Sequence, residues 1–259
     1  MATALIGGLL QQGVRPGDLR VVEVSEDARQ RLHRQFGVTT MPAFDGEIAD
    51  DAVLLAVKPQ QMRAAAANLR ACLRGQLVIT IAAGIRTSDL ARWLGGHHRI
   101  VRAMPNTPAL VRAGISGLFA AAAVEHADRD SAQSILGAVG GVVWVRDESD
   151  IDVVTAISGS GPAYVYYFIE ALEQAAIELG LNDKQAHKLA VQTFVGAAKL
   201  AADSDDPVAV LRARVTSKAG TTEAALMSME ASQVKNHIAK AVRAAAKRAN
   251  ELGEEFGKD

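Results

Sequence analysis

The chain has 259 residues, of which 49% are hydrophobic and 22% charged, a composition typical of a globular protein that can bury a sizeable core. A net charge of −1 and only 4% aromatic residues argue against the basic surface and the stacking platform of nucleic-acid binders, so no nucleic-acid partner is expected. No apolar run reaches the roughly 20 residues of a membrane span, so no membrane association is expected, and the single cysteine excludes an internal disulfide and favours a cytoplasmic location.

The opening stretch, MATALIGGLL, predicts a packed helix and not a signal peptide, because no Lys or Arg precedes its apolar run. A β-rich run follows at Leu19–Ser25. The polar segment Glu26–Phe36 predicts a helix, which Gly37 ends in the manner of a helix C-cap.

The middle of the chain alternates between strand and helix patterns. Nearly continuous apolar runs at Asp51–Val57 and Gln76–Gly84 predict strands that are covered on both faces. Pro59 occupies the position where a helix favours proline, and two prolines argue against regular structure at Met104–Pro108. With two further strand patterns, ISGLFAAAA and GVVWVRD, the alternation predicts a doubly wound parallel sheet.

From Ser149 onward the sequence contains no convincing strand pattern. It predicts five helices, at Asp152–Gly180, Asp183–Ala202, Pro207–Ala213, Thr221–Met229 and Val234–Gly253. We therefore expect an α/β fold of two domains: residues 1–148 as a Rossmann-like NAD(P)-binding domain, and residues 149–259 as an all-helical domain.

The glycine turn that opens such nucleotide-binding sheets is absent. A first strand normally runs into G-x-G-x-x-G and a helix, but SGSGP at Ser158–Pro162 lies in the helical half with no strand before it. The run Leu19–Val24 instead resembles the second strand of the fold, so the first strand is expected to be missing from this sequence.

The residue after that second strand normally contacts the ribose 2′ position of the cofactor and selects between NAD and NADP. Here it is Ser25, with Arg29 one helical turn later. A hydroxyl and a guanidinium suit a 2′-phosphate, which favours NADP, while the intervening Glu26 leaves NAD as the alternative. Ser25 is also a suitable N-cap for the following helix, and the two roles are compatible.

Six segments together resemble pyrroline-5-carboxylate reductases in order and spacing: AVKPQQM, ITIAAGI, RIVRAMPNTPA, AISGSGPAYVYYFIEAL, GAAKL and VTSKAGTTEAAL. The resemblance covers Met1 to about Glu254. It implies NAD(P)H-dependent reduction of 1-pyrroline-5-carboxylate to L-proline, the last step of proline biosynthesis. It also implies that the helical domain, residues 149–259, binds substrate and forms a homodimer, with dimers assembling into larger rings.

The resemblance implies a specific set of cofactor contacts. Met1 and Ala2 match the last two residues of the family's glycine motif, whose glycines are absent here; a truncation or an internal start is therefore expected. The remaining contacts follow three strands and are Ala56, Val57, Lys58, Pro59, Ala82, Ala83, Gly84 and Asn106. The residues alone also allow purely structural interpretations. Lys58 is then a solvated lysine, the small residues after the second strand serve close packing, and the segment around Asn106 is a structural turn.

The segment VTSKAGTTEAAL carries the implied substrate site. Ser217, Gly220, Thr221 and Thr222 lie at or just before a predicted helix N-terminus, which attracts anions such as a carboxylate. Thr222 is the candidate for relaying a proton to the imine nitrogen. The threonines are equally suited to be helix caps. Lys218 and Ala219 replace the Pro-Gly of the family pattern, and Lys218 either helps to hold a carboxylate or points outward.

Three alternative functions remain open at this stage. A related β-hydroxyacid dehydrogenase or an imine reductase would share the two-domain plan. A β-hydroxyacid dehydrogenase would be expected to use a catalytic lysine in the helical half, but no lysine there lies in a motif that identifies it as catalytic. Without its glycine turn, the chain is also compatible with a catalytically impaired dimerising protein. The six histidines show no metal-ligand spacing, so no metal is expected.

Overall fold

The computed structural model describes residues 1–258 and contains seven β-strands and eleven α-helices within them. The strands are β1 Arg20–Val22, β2 Thr39–Met41, β3 Ala52–Leu55, β4 Leu77–Thr80, β5 Ile100–Met104, β6 Gly114–Ala120 and β7 Gly140–Trp144. The helices are α1 Ala2–Gln11, α2 Glu26–Phe36, α3 Pro59–Arg70, α4 Thr87–Trp93, α5 His126–Gly137, α6 Asp150–Val154, α7 Gly161–Glu178, α8 Asp183–Ala202, α9 Val208–Arg214, α10 Thr221–Ala231 and α11 Val234–Phe256.

The main sheet has the order β3-β4-β5-β6-β7. β3, β4 and β5 are parallel neighbours, as predicted, but β6 runs antiparallel to β5 and then pairs parallel with β7. Only a short 3-10 turn, Thr107–Val111, lies in the connection from β5 to β6. That connection is too short for the crossover that parallel neighbours need, so the chain turns back on itself. The prediction that the two prolines exclude regular structure was wrong for this turn.

β1 and β2 form a separate parallel pair, and β1 makes no ladder with β3 among the described residues. An ion pair between Arg20 and Asp50, with Nε 3.1 Å from Oδ1, brings the amino ends of β1 and β3 together. The strand β2 carries no clear sequence signal and was not predicted.

Two hydrophobic clusters of buried side chains hold the first compact unit together. One contains Leu5 of α1, Leu136 of α5 and Ile79 of β4. The other contains Met62 of α3 and Leu90 of α4. Both clusters include residues of β4, all four of which are buried, as the unbroken apolar run predicts for a strand covered on both faces.

The described residues fall into two compact units: Met1–Ser160 with the end of the chain from Ala244, and Gly161–Arg243. The second unit is entirely helical. Its α8 begins with a capping box in which Asn182 and Gln185 exchange side-chain hydrogen bonds with each other's backbone N–H groups. The predicted start of α9 shifts by one residue, since Pro207 is the N-cap. The placement of the functional domain boundary near residue 148 stays a prediction.

A turn of π-helix at Thr155–Gly159 follows α6 directly. The sequence predicted an unbroken helix through this segment and missed the wider turn. Single π-turns occur frequently at functional sites.

No helix within residues 1–258 is long and apolar enough to cross a membrane.

Candidate functional site

Three predicted cofactor segments follow β3, β4 and β5. Because these strands are parallel neighbours, their carboxyl ends lie at one edge of the sheet. The structure therefore brings Ala56–Pro59, Ala82–Gly84 and Asn106 to the same edge. Ligands of open α/β sheets bind outside the carboxyl ends of the strands, so this edge is the candidate cofactor site.

The loop after β3 starts helix α3. Lys58 is the N-cap residue in extended conformation, and Pro59 is the first helical residue, as predicted. The Lys58 side chain is exposed, and no ion pair is recorded for it within residues 1–258. Its ammonium group is thus available to a phosphate or ribose at this edge.

The loop after β4 is shaped by local contacts. The Oγ1 of Thr80 accepts a hydrogen bond of 3.3 Å from the Ala82 N–H. Gly84 has a φ of +73°, which favours glycine, and a Cβ at this position would lie 2.8 Å from Cδ2 of Phe256. Position 84 therefore requires glycine because the end of helix α11 packs against it. Ala83 stays partly exposed.

Asn106 has a structural role in the loop after β5. Its Nδ2 donates a 3.1 Å hydrogen bond to the carbonyl of Ser158, and its Oδ1 accepts a 2.9 Å bond from the Ile115 N–H. This buried amide thus joins the MPNTP loop to the π-turn. Thr107, which is exposed, is the freer donor of the loop.

Ser25 and Arg29 lie at the carboxyl end of β1. The Oγ of Ser25 accepts a 3.4 Å hydrogen bond from the Ala28 N–H, which confirms the predicted N-cap. Arg29 uses Nη1 to donate to the carbonyls of Glu23 and Val24, at 2.7 and 2.9 Å. No further bond of the Arg29 guanidinium is recorded within residues 1–258, which leaves its remaining N–H groups as candidate donors to a phosphate.

Met1 and Ala2 begin helix α1. The carbonyl of Met1 accepts hydrogen bonds from the N–H groups of Ala4 and Leu5, at 2.9 and 3.1 Å. Gly8, further along α1, packs closely enough that a Cβ would lie 2.5 Å from the carbonyl oxygen of Ala138. The close packing expected of this helix is confirmed, whereas the contact of Met1 and Ala2 with a cofactor stays a prediction.

A buried ionic network that the sequence reasoning missed lies behind the same sheet edge. Arg102 of β5 is 3% exposed and donates to Glu148 and Asp152, at 3.3 and 3.2 Å. Glu148 also accepts 2.7 Å bonds from the N–H and the hydroxyl of Thr87. The signal was an arginine inside the apolar strand IVRAM, because a charge buried there requires acidic partners.

The predicted substrate residues lie together in the helical unit. Gly220 is the N-cap of α10, Thr221 and Thr222 are its first two residues, and Ser217 lies in the preceding turn. The Gly220 N–H donates to the carbonyl of Ser217 at 3.1 Å, and the side chain of Ser217 occupies the space that a Cβ of residue 220 would fill. The first N–H groups of an α-helix lack intrahelical acceptors, so this end of α10 presents donors to an anion.

Ala219 and Glu223 hold that turn in shape. Ala219 has a φ of +57°, the left-handed region, and its N–H donates a 2.6 Å hydrogen bond to Oε2 of Glu223. Lys218 is exposed and has no recorded ion pair within the described chain. Whether Lys218 helps to hold a carboxylate therefore stays a prediction.

The donor set of the first unit fits a nicotinamide dinucleotide. Small residues and strand-end loops at one edge allow close approach of a flat ring, and the Arg29 fork with the Ser25 hydroxyl suits a phosphate. By contrast, residues 1–258 contain no group of three or more His, Cys, Asp or Glu side chains arranged to hold a metal ion.

Two family models match the chain. One, described as pyrroline-5-carboxylate reductase dimerisation, matches residues 148–252. The other, described as NADP oxidoreductase coenzyme F420-dependent, matches residues 1–84.

Relatives match over nearly the whole chain. The chain is 43% identical to a pyrroline-5-carboxylate reductase of Pseudomonas aeruginosa, across 99% of this chain and 95% of that protein. The corresponding values for the protein of the same name from Pasteurella multocida are 40%, 99% and 95%.

Solved structures give the same result. A pyrroline-5-carboxylate reductase from Coxiella burnetii superposes with a TM-score of 0.92 at 41% identity, covering 97% of this chain and 94% of that one. A pyrroline carboxylate reductase from Plasmodium falciparum, solved with NADP bound, superposes with a TM-score of 0.83 at 29% identity, covering 96% and 93%.

Proposed function

The chain belongs to the pyrroline-5-carboxylate reductase family, and on that premise we propose how its residues divide the reduction of 1-pyrroline-5-carboxylate to L-proline. It is an oxidoreductase of proline biosynthesis that uses a nicotinamide cofactor and forms homo-oligomers. The relatives favour neither a β-hydroxyacid dehydrogenase, nor an imine reductase of other specificity, nor a non-catalytic dimerising protein.

The turn before α10 is the observation that carries the substrate assignment. The substrate's one fixed anion is its carboxylate, and the start of α10 offers backbone N–H groups, the helix dipole and the Ser217 hydroxyl. In our proposal Ser217, Gly220, Thr221 and Thr222 bind this carboxylate. The Glu223 carboxylate is engaged by the Ala219 N–H.

Thr222 is proposed to act on the imine nitrogen. Its side chain is half-buried, in contrast to the exposed Thr221, so its hydroxyl is the better shielded of the two. A hydroxyl that donates to the ring nitrogen holds the C=N bond in one orientation and relays a proton to that nitrogen, which solvent water replaces. Since a protonated imine is already electrophilic, positioning supplies most of the acceleration.

The cofactor assignment follows from the strand-end loops. When bound, the reduced nicotinamide supplies the hydride that reaches C5 of the substrate. Lys58 and the backbone of Ala56–Pro59 are proposed to hold the phosphates and ribose, with Ala82, Ala83 and the Asn106 loop at the nicotinamide end. Ser25 and Arg29 are proposed to hold a 2′-phosphate, which makes NADPH the preferred cofactor.

The helical unit is proposed to form the homodimer, and dimers to assemble further. Support comes from large apolar side chains that this unit leaves exposed, among them Tyr167 at 70% and Leu200 at 71%. A cytoplasmic location is proposed as well, on the reducing compartment that the single cysteine, Cys72, favours.

Carboxylate recognition is tested by comparing 1-pyrroline-5-carboxylate with 1-pyrroline, which lacks only the carboxylate. We expect the wild-type kcat/KM to favour the natural substrate by roughly a hundredfold, the size of two charge-assisted hydrogen bonds. Ser217→Ala should lower the ratio of the two kcat/KM values, and Ser228→Ala, which alters an exposed serine of α10, should leave it unchanged. Equal activity on both substrates in the wild type would overturn the assignment.

A further inference from the structure

The last two turns of α11 pack against the segment that follows β4. Residues 82–84 after β4 are proposed above to lie at the nicotinamide and are called the nicotinamide loop. Gly84, at the end of this loop, has no side chain, and a Cβ there would lie 2.8 Å from Cδ2 of Phe256 and 3.3 Å from the carbonyl carbon of Leu252. The Phe256 ring also packs on the core cluster that contains Ala82 and Ile85. One aromatic ring thus contacts the loop and the core beneath it.

Further contacts fix the same end of the helix. Arg92 of α4 donates a 2.8 Å hydrogen bond from Nη2 to the carbonyl of Gly257. Gly253 is buried, and a Cβ there would lie 3.1 Å from Nε of Arg86. The helix end therefore contacts Arg86, two residues after Gly84, and Arg92 of α4.

A third link joins α11 to the buried ionic network. Asn250 donates a 3.4 Å hydrogen bond to Oδ2 of Asp152, and Oδ1 of the same carboxylate accepts a bond from Arg102 of β5. The network binds Thr87, the first residue of α4, through Glu148. The same helix end thus contacts the loop after β4 directly and the strand β5 through Asp152.

From these contacts we infer that the C-terminal end of α11 is a positioning element for the nicotinamide loop, with Phe256 as its central positioning residue. Gly84 has left-handed backbone geometry, and the ring of Phe256 fills the space beside it. Without that ring the loop samples other backbone conformations, and the cofactor binds only to the fraction that is correctly formed. The effect on cofactor binding rests on the proposed function of residues 82–84. The effect of Phe256 on the conformation of the loop does not.

Phe44 provides a matched control. It is a half-buried phenylalanine that packs on the same core cluster as Phe256, and it makes no recorded contact with Gly84. A loss of core area alone affects Phe256→Ala and Phe44→Ala alike. An effect on the loop is specific to Phe256.

The test combines hydrogen exchange of the cofactor-free protein with NADP⁺ titration. Phe256→Ala should speed amide exchange in residues 81–87 and raise the Kd for NADP⁺ roughly tenfold, which is the result of a loop correctly formed about a tenth of the time. The KM for 1-pyrroline-5-carboxylate should stay unchanged. Phe256→Leu, which keeps an apolar side chain at this position, should recover most of the affinity, and Phe44→Ala should change neither exchange nor Kd.

Three results would overturn the inference. The first is unchanged exchange and affinity in a folded Phe256→Ala protein, and the second is the same loss in Phe256→Ala and Phe44→Ala. The third is a Phe256→Ala protein with altered exchange but unchanged Kd, while the wild type binds NADP⁺, because the contact is then structural only. Failure of the wild type to bind any nicotinamide cofactor would instead contradict the proposed function.

Discussion

The backbone N–H of Ala219 donates a 2.6 Å hydrogen bond to the Glu223 carboxylate while Ala219 itself adopts left-handed backbone geometry, with φ at +57°. A residue with a Cβ pays about 1–2 kcal/mol for this geometry, and the carboxylate helps to hold it there. The candidate substrate turn therefore contains local strain, at a position where the sequence departs from the Pro-Gly of the family pattern.

Ala219→Gly is expected to stabilise the protein by about 0.5–1 kcal/mol, because glycine reaches this geometry freely and only part of the gain is offset by the entropy of the unfolded chain. Urea unfolding measures the change. Ala224→Gly, at an exposed site in the first turn of α10, should destabilise by a similar amount. If both glycines destabilise alike, Ala219 is not strained.

Thr222→Val is expected to lower kcat about a hundredfold, the typical contribution of a positioned proton donor, since valine keeps the shape and removes the hydroxyl. Thr222→Ser, which retains the hydroxyl, should keep most of the turnover. Steady-state kinetics with saturating NADPH measure both. A Thr222→Val protein with wild-type kcat and KM would show that the hydroxyl takes no part.

Arg29→Ala is expected to lower kcat/KM for NADPH about ten- to a hundredfold and to leave that for NADH nearly unchanged, because only NADPH carries the 2′-phosphate that the guanidinium would bind. Arg31→Ala removes an exposed positive charge from the same helix and serves as the control. Parallel losses with the two cofactors would contradict the assignment.

The ion pair between Arg99 and Asp128 makes the folding stability of the protein depend on pH. Arg99 donates to both of its carboxylate oxygens, at 2.7 and 3.1 Å, and this bonding, with the Glu125 N–H, lowers the pKa of Asp128 below its usual value. A carboxyl with a lowered folded-state pKa contributes stability above its unfolded pKa of about 3.9, and the contribution is lost as the pH falls through the folded value.

Asp128→Asn should therefore cost about 1–2 kcal/mol at neutral pH, and its difference from the wild type should shrink once the pH falls below about 4. Urea unfolding across the acid range measures this. Asp130→Asn removes an exposed carboxylate from the same helix and should show a much smaller pH-dependent difference. A constant Asp128→Asn difference down to acid pH would contradict the ion-pair account.

Local signals explain which parts of the fold were predictable. Pro59 and Asn182 carry start signals for helices, and Gly37, with a φ of +68°, ends α2 as the sequence indicates. The antiparallel entry of β6 was not predictable from apolar runs, since its direction depends on the length of the connection and not on composition.

The sequence predicts which segments form the candidate site, but not the contacts that join them. Sequence order alone places three loops at one sheet edge, whereas nothing local shows that Asn106 bonds to Ser158 or that Gly84 packs against Phe256. Both are contacts between segments far apart in the chain. The lone arginine of β5 was the readable signal of a buried network, since its charge needs partners.

Reduction of 1-pyrroline-5-carboxylate by this chain is tested by mixing the purified protein with NADPH and the substrate. The absorbance of the reduced nicotinamide is followed, and proline is quantified at the end. We predict substrate-dependent NADPH oxidation with one proline formed for each NADPH consumed. Folded protein that binds NADPH and yields no proline in the presence of the substrate would contradict it.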